Sequence, residues 1–131
     1  MAGLVGKVYP EVRYEITAAA VEAFARALGA EPDGGVPPTF AAVYALGTTA
    51  PQLFSDPEAA VDLPNLLHAE QEFTWTRHPA VGERVVAEGR IAADSERRGF
   101  RFLTLETKVR REGESEAFVT SRSLFLVRSQ P

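Results

Sequence analysis

The chain has 131 residues, 45% hydrophobic and 24% charged, as in an ordinary globular protein, so one domain is expected over residues 1–131. Fourteen Lys and Arg against eighteen Asp and Glu give a formal net charge of −4 without a basic cluster, which argues against a nucleic-acid partner. The absence of Cys excludes disulfides and thiolate sites, and the first residues lack the apolar run of a signal peptide, so a cytoplasmic protein is expected.

A short strand and a helix are the first predicted elements. Residues 8–15 are predicted to be extended. Thr17 is a side-chain type that caps helix N-termini, and Gly29 is the residue type expected just after a helix, so a helix is predicted between them. Its buried face is predicted to carry Val21, Phe24, Ala25 and Leu28.

An uncharged run over residues 34–55 contains the second predicted helix. This helix is predicted to be capped by Thr39, to run to about Ala50 and to stop before Pro51. Glycines and prolines interrupt the uncharged run, so a membrane span is not expected. Because the helix is apolar around nearly its whole circumference, it is expected to be covered on all sides.

Alternating apolar and polar residues predict four later strands that pair as an antiparallel sheet. The strands are predicted over residues 67–75, 85–91, 103–109 and 117–128. In the first of them the inward residues are predicted to be Leu67, Ala69, Phe73 and Trp75. The pattern predicts an α+β fold in which a curved antiparallel sheet wraps around a long central helix. An Asp in place of Ala42 or Val43 should then unfold the protein.

Four segments occur in an order and spacing typical of one family. They are LVGKVYPEVRYEIT at 4–17, VPPTF at 36–40, LLHAEQEF at 66–73 and ERRGFRFLTLET at 96–107. Together they resemble the MaoC-like dehydratase/hydratase family, specifically its N-terminal, non-catalytic hot-dog unit. The resemblance implies a hot-dog fold and action on acyl thioesters of coenzyme A or acyl carrier protein. Such enzymes add water to a trans-2-enoyl chain or remove it from the 3-hydroxyacyl form, and no cofactor or metal is expected.

The loop between the two predicted helices departs from the family pattern. The resemblance implies a catalytic Asp with a His five residues later, in a Gly-Asp-x-Asn-Pro-x-His motif that activates water. Here the loop is residues 29–35, Ala30 stands at the Asp position, and His68 is the first histidine of the chain. No catalytic residue is therefore assigned. The resemblance implies a homodimer, or a heterodimer with a catalytic hot-dog subunit, in which this chain shapes the acyl groove.

Four residues at the start of and along the central helix are predicted to bind substrate. They are Thr39, Phe40, Tyr44 and Thr48. The hydroxyls of Tyr44 and Thr48 lie four residues apart on one helix face and need partners where they are buried. This face is predicted either to line a groove or a dimer seam, or to pack in the core.

Arg97, Arg98 and Arg101 cluster near a predicted turn. The guanidinium groups of Arg97 and Arg98 are predicted to bind the phosphates of the coenzyme A or carrier-protein arm. The alternative is a solvated hairpin tip. Phe102 falls on the strand face opposite Leu103, which suggests a second buried surface such as a subunit contact.

Other functions stay open at this point. Glu70 follows His68 by two residues on the predicted strand, which would allow a His–Glu acid–base pair, although a surface histidine is the alternative. Asp33 or Glu31 would be the base of an acyl-thioester hydrolase, another activity found on hot-dog folds. A third alternative is a homodimeric acyl-binding protein without catalysis.

Overall fold

Five strands of the computed structural model, which describes residues 3–129, form one antiparallel sheet. They are β1 Val12–Glu15, β2 Leu66–Trp75, β3 Arg84–Arg97, β4 Phe100–Arg111 and β5 Ala117–Arg128. The spatial order is β1-β3-β4-β5-β2, so the short β1 and the long β2 are the two edges. The four later strands confirm the prediction. The first predicted strand is shorter than expected, and before it Val8 makes only an isolated bridge with Arg90.

The first helix, α1, spans Ala18–Ala27 and confirms both predicted ends. The Thr17 hydroxyl accepts the backbone N–H of Ala20 at 3.2 Å, and Gly29 just after the helix has a φ of 76°. The predicted buried face packs on the core except at Leu28, which is 62% exposed. The prediction for Leu28 is wrong because this residue is the C-cap, where the helical spacing ends.

The second helical segment, residues 38–54, is the central helix and changes geometry along its length. It consists of a 3₁₀ turn over Pro38–Phe40, a π-helical stretch over Ala42–Leu46 and an α-helix, α2, over Gly47–Phe54. The predicted start is wrong: Pro37 is the N-cap residue, no side chain caps the turn, and Thr39 lies inside it. Pro38 already has the φ that a first helical position needs, so the helix begins before Thr39.

The predicted end of the central helix is also wrong, because α2 continues through Pro51 to Phe54. A proline in a helix interior removes a backbone donor and costs about 3 kcal/mol. The additional turn buries Leu53 completely and packs the Phe54 ring against Phe125, with ring centroids 5.2 Å apart. Full burial of one such side chain contributes roughly 1.5–3 kcal/mol, so burial of these two side chains offsets the loss at Pro51.

The sheet covers only one face of the central helix. The buried residues of the helix are Phe40, Ala41, Tyr44, Ala45, Thr49, Ala50 and Leu53. On the other side Gly47 and Pro51 are exposed, and Ala42 and Val43 are only partly buried. The predicted cover on all sides is therefore wrong for this chain alone, whereas the α+β layout of one antiparallel sheet against a central helix is confirmed. No helix within residues 3–129 is long and apolar enough to cross a membrane.

A β-bulge divides strand β2 and changes which side chains face the helix. The pairing with β5 shifts between His68 and Glu70, so Ala69 is the extra residue. Because side chains alternate along a strand, one extra residue moves every later side chain to the other face. The predictions that Leu67 and Ala69 face inward are therefore wrong, and Leu67 is 62% exposed. Beyond the bulge, the two predicted aromatic side chains of β2 pack on the core as expected.

The core between helix and sheet consists of two hydrophobic clusters. One surrounds the start of the central helix and includes Phe40, Tyr44, Val85, Val109 and Val119, while the other surrounds its end and includes Leu53, Ile91, Leu103, Leu105 and Phe125. The helix passes from one cluster to the other at Thr49, a fully buried polar residue.

Candidate functional site

A buried hydrogen bond joins the central helix to the sheet between the two hydrophobic clusters. The hydroxyl oxygens of Thr49 and Thr107 lie 2.7 Å apart, and both residues are buried. The Thr49 hydroxyl donates to the carbonyl of Ala45 at 2.9 Å, so the Thr107 hydroxyl is the donor between the two threonines. Gly89 permits this close approach, since a side chain there would lie 3.2 Å from the Thr49 side chain.

Further polar side chains extend this contact across the sheet to the edge strand β2. Ser121 and Ser123 of β5 are buried. The side-chain amide of Gln71 donates to the Ser121 hydroxyl at 2.9 Å, and the Ser123 hydroxyl donates to the Gln71 carbonyl oxygen. We call this row the hydroxyl belt: Thr49, Thr107, Ser121, Ser123 and Gln71. Apart from two tyrosines, its threonines and serines are the only buried residues with polar side chains between positions 3 and 129.

His68 lies at the open end of the hydroxyl belt, on an exposed part of β2. Its Nε2 is 3.1 Å from Oε1, the side-chain amide oxygen of Gln71, and its ring packs on Phe125 with ring centroids 4.9 Å apart. The bulge at Ala69 places Glu70 on the opposite face of the strand. The predicted pairing of His68 with Glu70 is therefore wrong, and a neutral amide takes the position that a carboxylate would need.

The hydroxyl belt lacks groups for acid–base catalysis, and Gln71 is its only exposed residue. Hydroxyl and amide groups donate and accept hydrogen bonds but stay neutral near pH 7. A histidine that acts as a general base is oriented by a partner, and the Gln71 amide lacks the charge that stabilises an imidazolium. In the described part of the chain, no group of three His, Asp or Glu residues is placed to hold a metal ion.

The four predicted substrate-binding residues do not converge on one cavity. Phe40 and Tyr44 are 1% exposed and pack against each other, with ring centroids 6.2 Å apart. Burial raises the pKa of the Tyr44 hydroxyl above its ordinary value. Thr48 is half-buried and donates to the carbonyls of Tyr44 and Ala45 at 2.8 and 3.0 Å, whereas Thr39 is exposed in the first turn. Only Thr39 and Thr48 of the four offer surface to a ligand.

The loop between α1 and the central helix borders a cavity of about 580 Å³. The apolar part of its lining includes Val21, Ala25, Val36 and Pro37. Glu31 and Asp33, the predicted bases of a hydrolase, are exposed residues of the cavity wall. The Asp33 carboxylate accepts the backbone N–H of Gly35 at 2.8 Å and so shapes the loop. None of the lining residues is a histidine, so the cavity holds no Asp–His pair.

The three arginines near the β3–β4 turn separate to two faces of the sheet. Arg101 faces the helix side and makes a bidentate ion pair with Asp94. Its Nε donates to Oδ1 and its Nη2 to Oδ2 of the carboxylate, each at 2.9 Å. The hydrogen bonds from Arg101 lower the pKa of the Asp94 carboxyl below its ordinary value. Arg97 stacks over the Phe102 ring at 4.5 Å, and Arg98 is exposed in the turn. Arg97 and Arg98 thus stay together on the surface while Arg101 is held in the fold.

The alternation of β5 contains a signal for the hydroxyl belt that the sequence predictions do not use. Ser121 and Ser123 occupy positions at which the inward face of the strand calls for apolar residues. Successive inward hydroxyls indicate a polar contact inside the fold, because buried hydroxyls need partners. Gln71 carries no such signal, since the bulge that turns it inward is not visible in the alternation of β2.

The family of the chain follows from comparison with known proteins. Residues 32–117 match the family model described as FAS1-like, dehydratase domain region. A UPF0336 protein from Leifsonia xyli subsp. xyli is 33% identical over 92 residues, which span 70% of this chain and 60% of that protein's length. A UPF0336 protein from Streptomyces coelicolor is 27% identical over an alignment that covers 96% of this chain and 93% of that protein.

Two solved structures share the fold. The HadBC (3R-hydroxyacyl-ACP dehydratase) complex from Mycobacterium tuberculosis superposes with a TM-score of 0.74 and 17% identity, over 95% of this chain and 98% of that one. The (R)-hydratase from A. caviae superposes with a TM-score of 0.59 and 25% identity, over 97% of this chain and 96% of that one. The predicted hot-dog fold and MaoC-like resemblance are confirmed. Given the match over residues 32–117, the chain belongs to the FAS1-like dehydratase-region family and has the hot-dog fold of the MaoC-like dehydratases and hydratases.

Proposed function

We propose that this chain is a non-catalytic subunit of a MaoC-like enzyme that hydrates trans-2-enoyl thioesters or dehydrates 3-hydroxyacyl thioesters. The observation that carries the proposal is a dehydratase-type hot-dog fold in which the described loop between α1 and the central helix holds no Asp–His pair. Ala30 occupies the loop position of the family's Asp, and His68 has Gln71 beside it in place of a carboxylate. The chain shapes the acyl groove, and a second subunit supplies the catalytic residues.

The proposed partner, a catalytic hot-dog subunit, docks on β2 and on the uncovered face of the central helix. β2 is an edge strand of ten residues, and one of its sides has no strand partner within residues 3–129. The helix face around Gly47 and Pro51 carries no charge and is not covered by the sheet. A long free edge beside an uncharged helix face favours a second subunit. The HadBC dehydratase, which shares this fold, is itself described as a complex.

The hydroxyl belt ends at β2 and would border the proposed groove. His68 is exposed there and donates its Nε2–H to the side-chain oxygen of Gln71, so its Nδ1 can accept a hydrogen bond from a bound water while the partner's acid–base pair transfers the protons. The two amide N–H groups of Gln71 already bond Ser121 and Glu72, so Gln71 positions the imidazole. On the helix, Thr39 and Thr48 contribute the polar part of the groove wall. The buried aromatic rings of the helix support that wall from the core. The acyl chain is attached as a thioester to coenzyme A or to acyl carrier protein.

Hydration of crotonyl-CoA tests this proposal. The isolated chain should show negligible turnover, because loss of general acid–base catalysis costs about 10²–10⁴-fold in rate. Mixed with a hot-dog subunit that carries the Asp and His motif, it should co-elute with that subunit and raise its turnover. The matched control is the same partner with its motif His replaced, which should bind the chain but stay inactive. Efficient hydration by the isolated chain, abolished by His68→Ala, would contradict the proposal.

A hydrolase is the second candidate, favoured by the cavity that Glu31 and Asp33 border. In that case the pure chain should release free thiol from acyl-CoA, and Glu31→Gln or Asp33→Asn should reduce the release. The subunit proposal expects no thiol release from either the chain or its variants. Retention of acyl-CoA without turnover, both alone and with a catalytic subunit, would instead support an acyl-binding protein without catalysis.

A further inference from the structure

The outer face of the sheet, opposite the central helix, carries an apolar row near the β3–β4 turn. Strand pairing aligns Phe102 of β4 with Leu126 of β5, and Leu126 with Leu67 of β2. Directly opposed residues of antiparallel strands point to the same face, so these three side chains form a continuous strip. Leu67 is 62% exposed, and the other two are half-buried. We call this strip the outer row.

Unpaired cations concentrate beside the outer row. Ten of the fourteen Lys and Arg residues make an ion pair within residues 3–129, and the four that make none are Arg97, Arg98, Lys108 and Arg128. Three of these four lie at one end of the sheet. Arg97 stacks over the ring of Phe102 at 4.5 Å, and Arg128 over the ring of Phe100 at 5.9 Å. Each stacked guanidinium keeps its N–H groups free for an anion.

The backbone at the turn supports a role for the side chain of Arg98. Arg98 and Gly99 have φ values of 53° and 81°, so they form a two-residue hairpin turn with positive φ at both positions. Asn and Gly are favoured at the first of these positions, and an arginine there is strained. A residue that opposes the local backbone preference is expected where its side chain serves another purpose.

We propose that the outer row and its arginines dock an acidic segment of a partner protein in which apolar side chains lie between carboxylates. The apolar side chains pack on Phe102, Leu126 and Leu67, and the carboxylates pair with the three arginines, which have no counterions in the described chain. A second copy placed symmetrically on this face would present the same unpaired arginines in return, so it would not supply the carboxylates that they lack. The phosphates of coenzyme A would suit Arg97 and Arg98 but leave the outer row uncovered.

This surface lies on a different face of the sheet from the one that the proposed subunit function uses, and the two share only strand β2, through Leu67. The outer row lies on the sheet face opposite the hydroxyl belt and the central helix. An acidic segment can therefore bind while the catalytic partner occupies the free edge of β2 and the helix. Failure of this inference would leave the subunit function intact, and the reverse also holds.

Binding of a labelled acidic peptide to the full chain tests the inference. The probe is a fluorescein-labelled peptide of repeated Glu-Leu-Asp-Phe units. One control peptide has Ser in place of Leu and Phe, and another has Lys in place of the acidic residues. We expect the acidic apolar peptide to bind more tightly than both, with an affinity that falls as salt concentration rises. Equal binding of all three peptides, or none, would overturn the inference.

Variants locate the binding on the proposed surface. The double substitution Arg97→Gln/Arg128→Gln and the single substitution Phe102→Ser should each weaken binding by about tenfold or more. Lys108→Gln is the matched control, because Lys108 is the fourth unpaired cation but lies farther along β4, and it should change affinity by less than about twofold. Equal effects of the control and the double substitution would overturn the assignment of this surface.

Arg98→Asn separates binding from stability. Asn tolerates positive φ better than Arg, so the melting temperature should stay the same or rise while peptide affinity falls. An unchanged affinity would remove Arg98 from the site. Displacement of the peptide by coenzyme A, with coenzyme A binding unaffected by Phe102→Ser, would assign the arginines to phosphate. Concentration-dependent dimerisation that Phe102→Ser abolishes would assign the outer row to a second copy, and both results would overturn the proposal.

Discussion

The two faces of the central helix have similar composition but different surroundings. Towards the sheet, Ala45 is completely buried among aromatic and aliphatic side chains. Away from the sheet, Ala42 is only partly buried and Gly47 is exposed, although this face also lacks charge. A solvated helix face normally carries charged and polar residues. The sheet-facing side therefore stabilises the fold of this chain, whereas the outward side is the one that the proposed subunit contact would cover.

The same substitution, Ala to Asp, can be made on either face of the helix, and the largest expected loss of stability is on the buried face. Ala45→Asp should destabilise the chain by about 3–5 kcal/mol, because it leaves an unpaired charge in the core. That loss approaches the whole stability of a small domain, about 5–15 kcal/mol. Urea denaturation with circular dichroism measures the change. A wild-type unfolding midpoint for Ala45→Asp would contradict the assignment of the buried face.

Ala42→Asp is the matched change on the outward face. A helix that is buried on all sides would make Asp at Ala42 unfold the chain. Because Ala42 is only partly buried, we now expect a smaller loss of stability. The isolated chain should lose less than about 1 kcal/mol, as at most surface sites. Association with a second subunit should instead weaken strongly, as measured by sedimentation velocity. Unchanged association would remove this face from the interface.

A smaller loss of stability is expected at Thr49, the residue of the hydroxyl belt that lies on the sheet-facing side of the helix. Thr49→Val leaves the Thr107 hydroxyl buried without its acceptor, which should cost about 1–3 kcal/mol of unfolding free energy. The double variant Thr49→Val/Thr107→Val removes both groups and should recover part of that loss. Thermal and urea denaturation of the two single variants and the double variant give the coupling. Strictly additive losses would argue against the hydrogen bond.

Beyond the C-terminus of the central helix, Asp56 makes stability depend on pH. Its carboxylate pairs with Lys7 at 2.7 Å and accepts the Tyr9 hydroxyl at 2.6 Å, and these hydrogen bonds lower its pKa from 3.8 to about 2. Because the pKa is lower in the folded chain, the contribution is complete above about pH 4 and disappears as pH falls towards 2. Asp56→Asn should remove most of the pH dependence of the urea unfolding midpoint in that window. Glu58→Gln, at a 69% exposed side chain, is the control and should change it little.

The smallest expected effect concerns His68 on the proposed groove. In the assembled enzyme, His68→Ala should lower kcat for enoyl-CoA hydration by less than about tenfold, because a positioning hydrogen bond is lost but no acid–base group. Loss of the catalytic His in the partner should abolish activity. Steady-state kinetics of the two reconstituted complexes measure the difference. Equal losses in both would place His68 among the catalytic groups.

The local sequence by itself determined most of the elements of this fold. Alternation of apolar and polar residues is a property of neighbouring positions, and it predicted the four long strands. The helix cap at Thr17 was predictable for the same reason, since a cap needs only a hydroxyl within three residues of a free N–H group. The missing Asp at Ala30 could also be read directly, because the resemblance fixes a spacing along the chain.

Tertiary structure alone decided which side chains meet. The bulge at Ala69 separates His68 from Glu70 and brings Gln71 to His68, and it is visible only in the pairing of β2 with β5. The helix passes Pro51 since burial beyond it offsets the lost hydrogen bond. The hydroxyl belt, the outer row and the uncovered helix face depend on contacts between residues far apart in the chain, which no local pattern specifies.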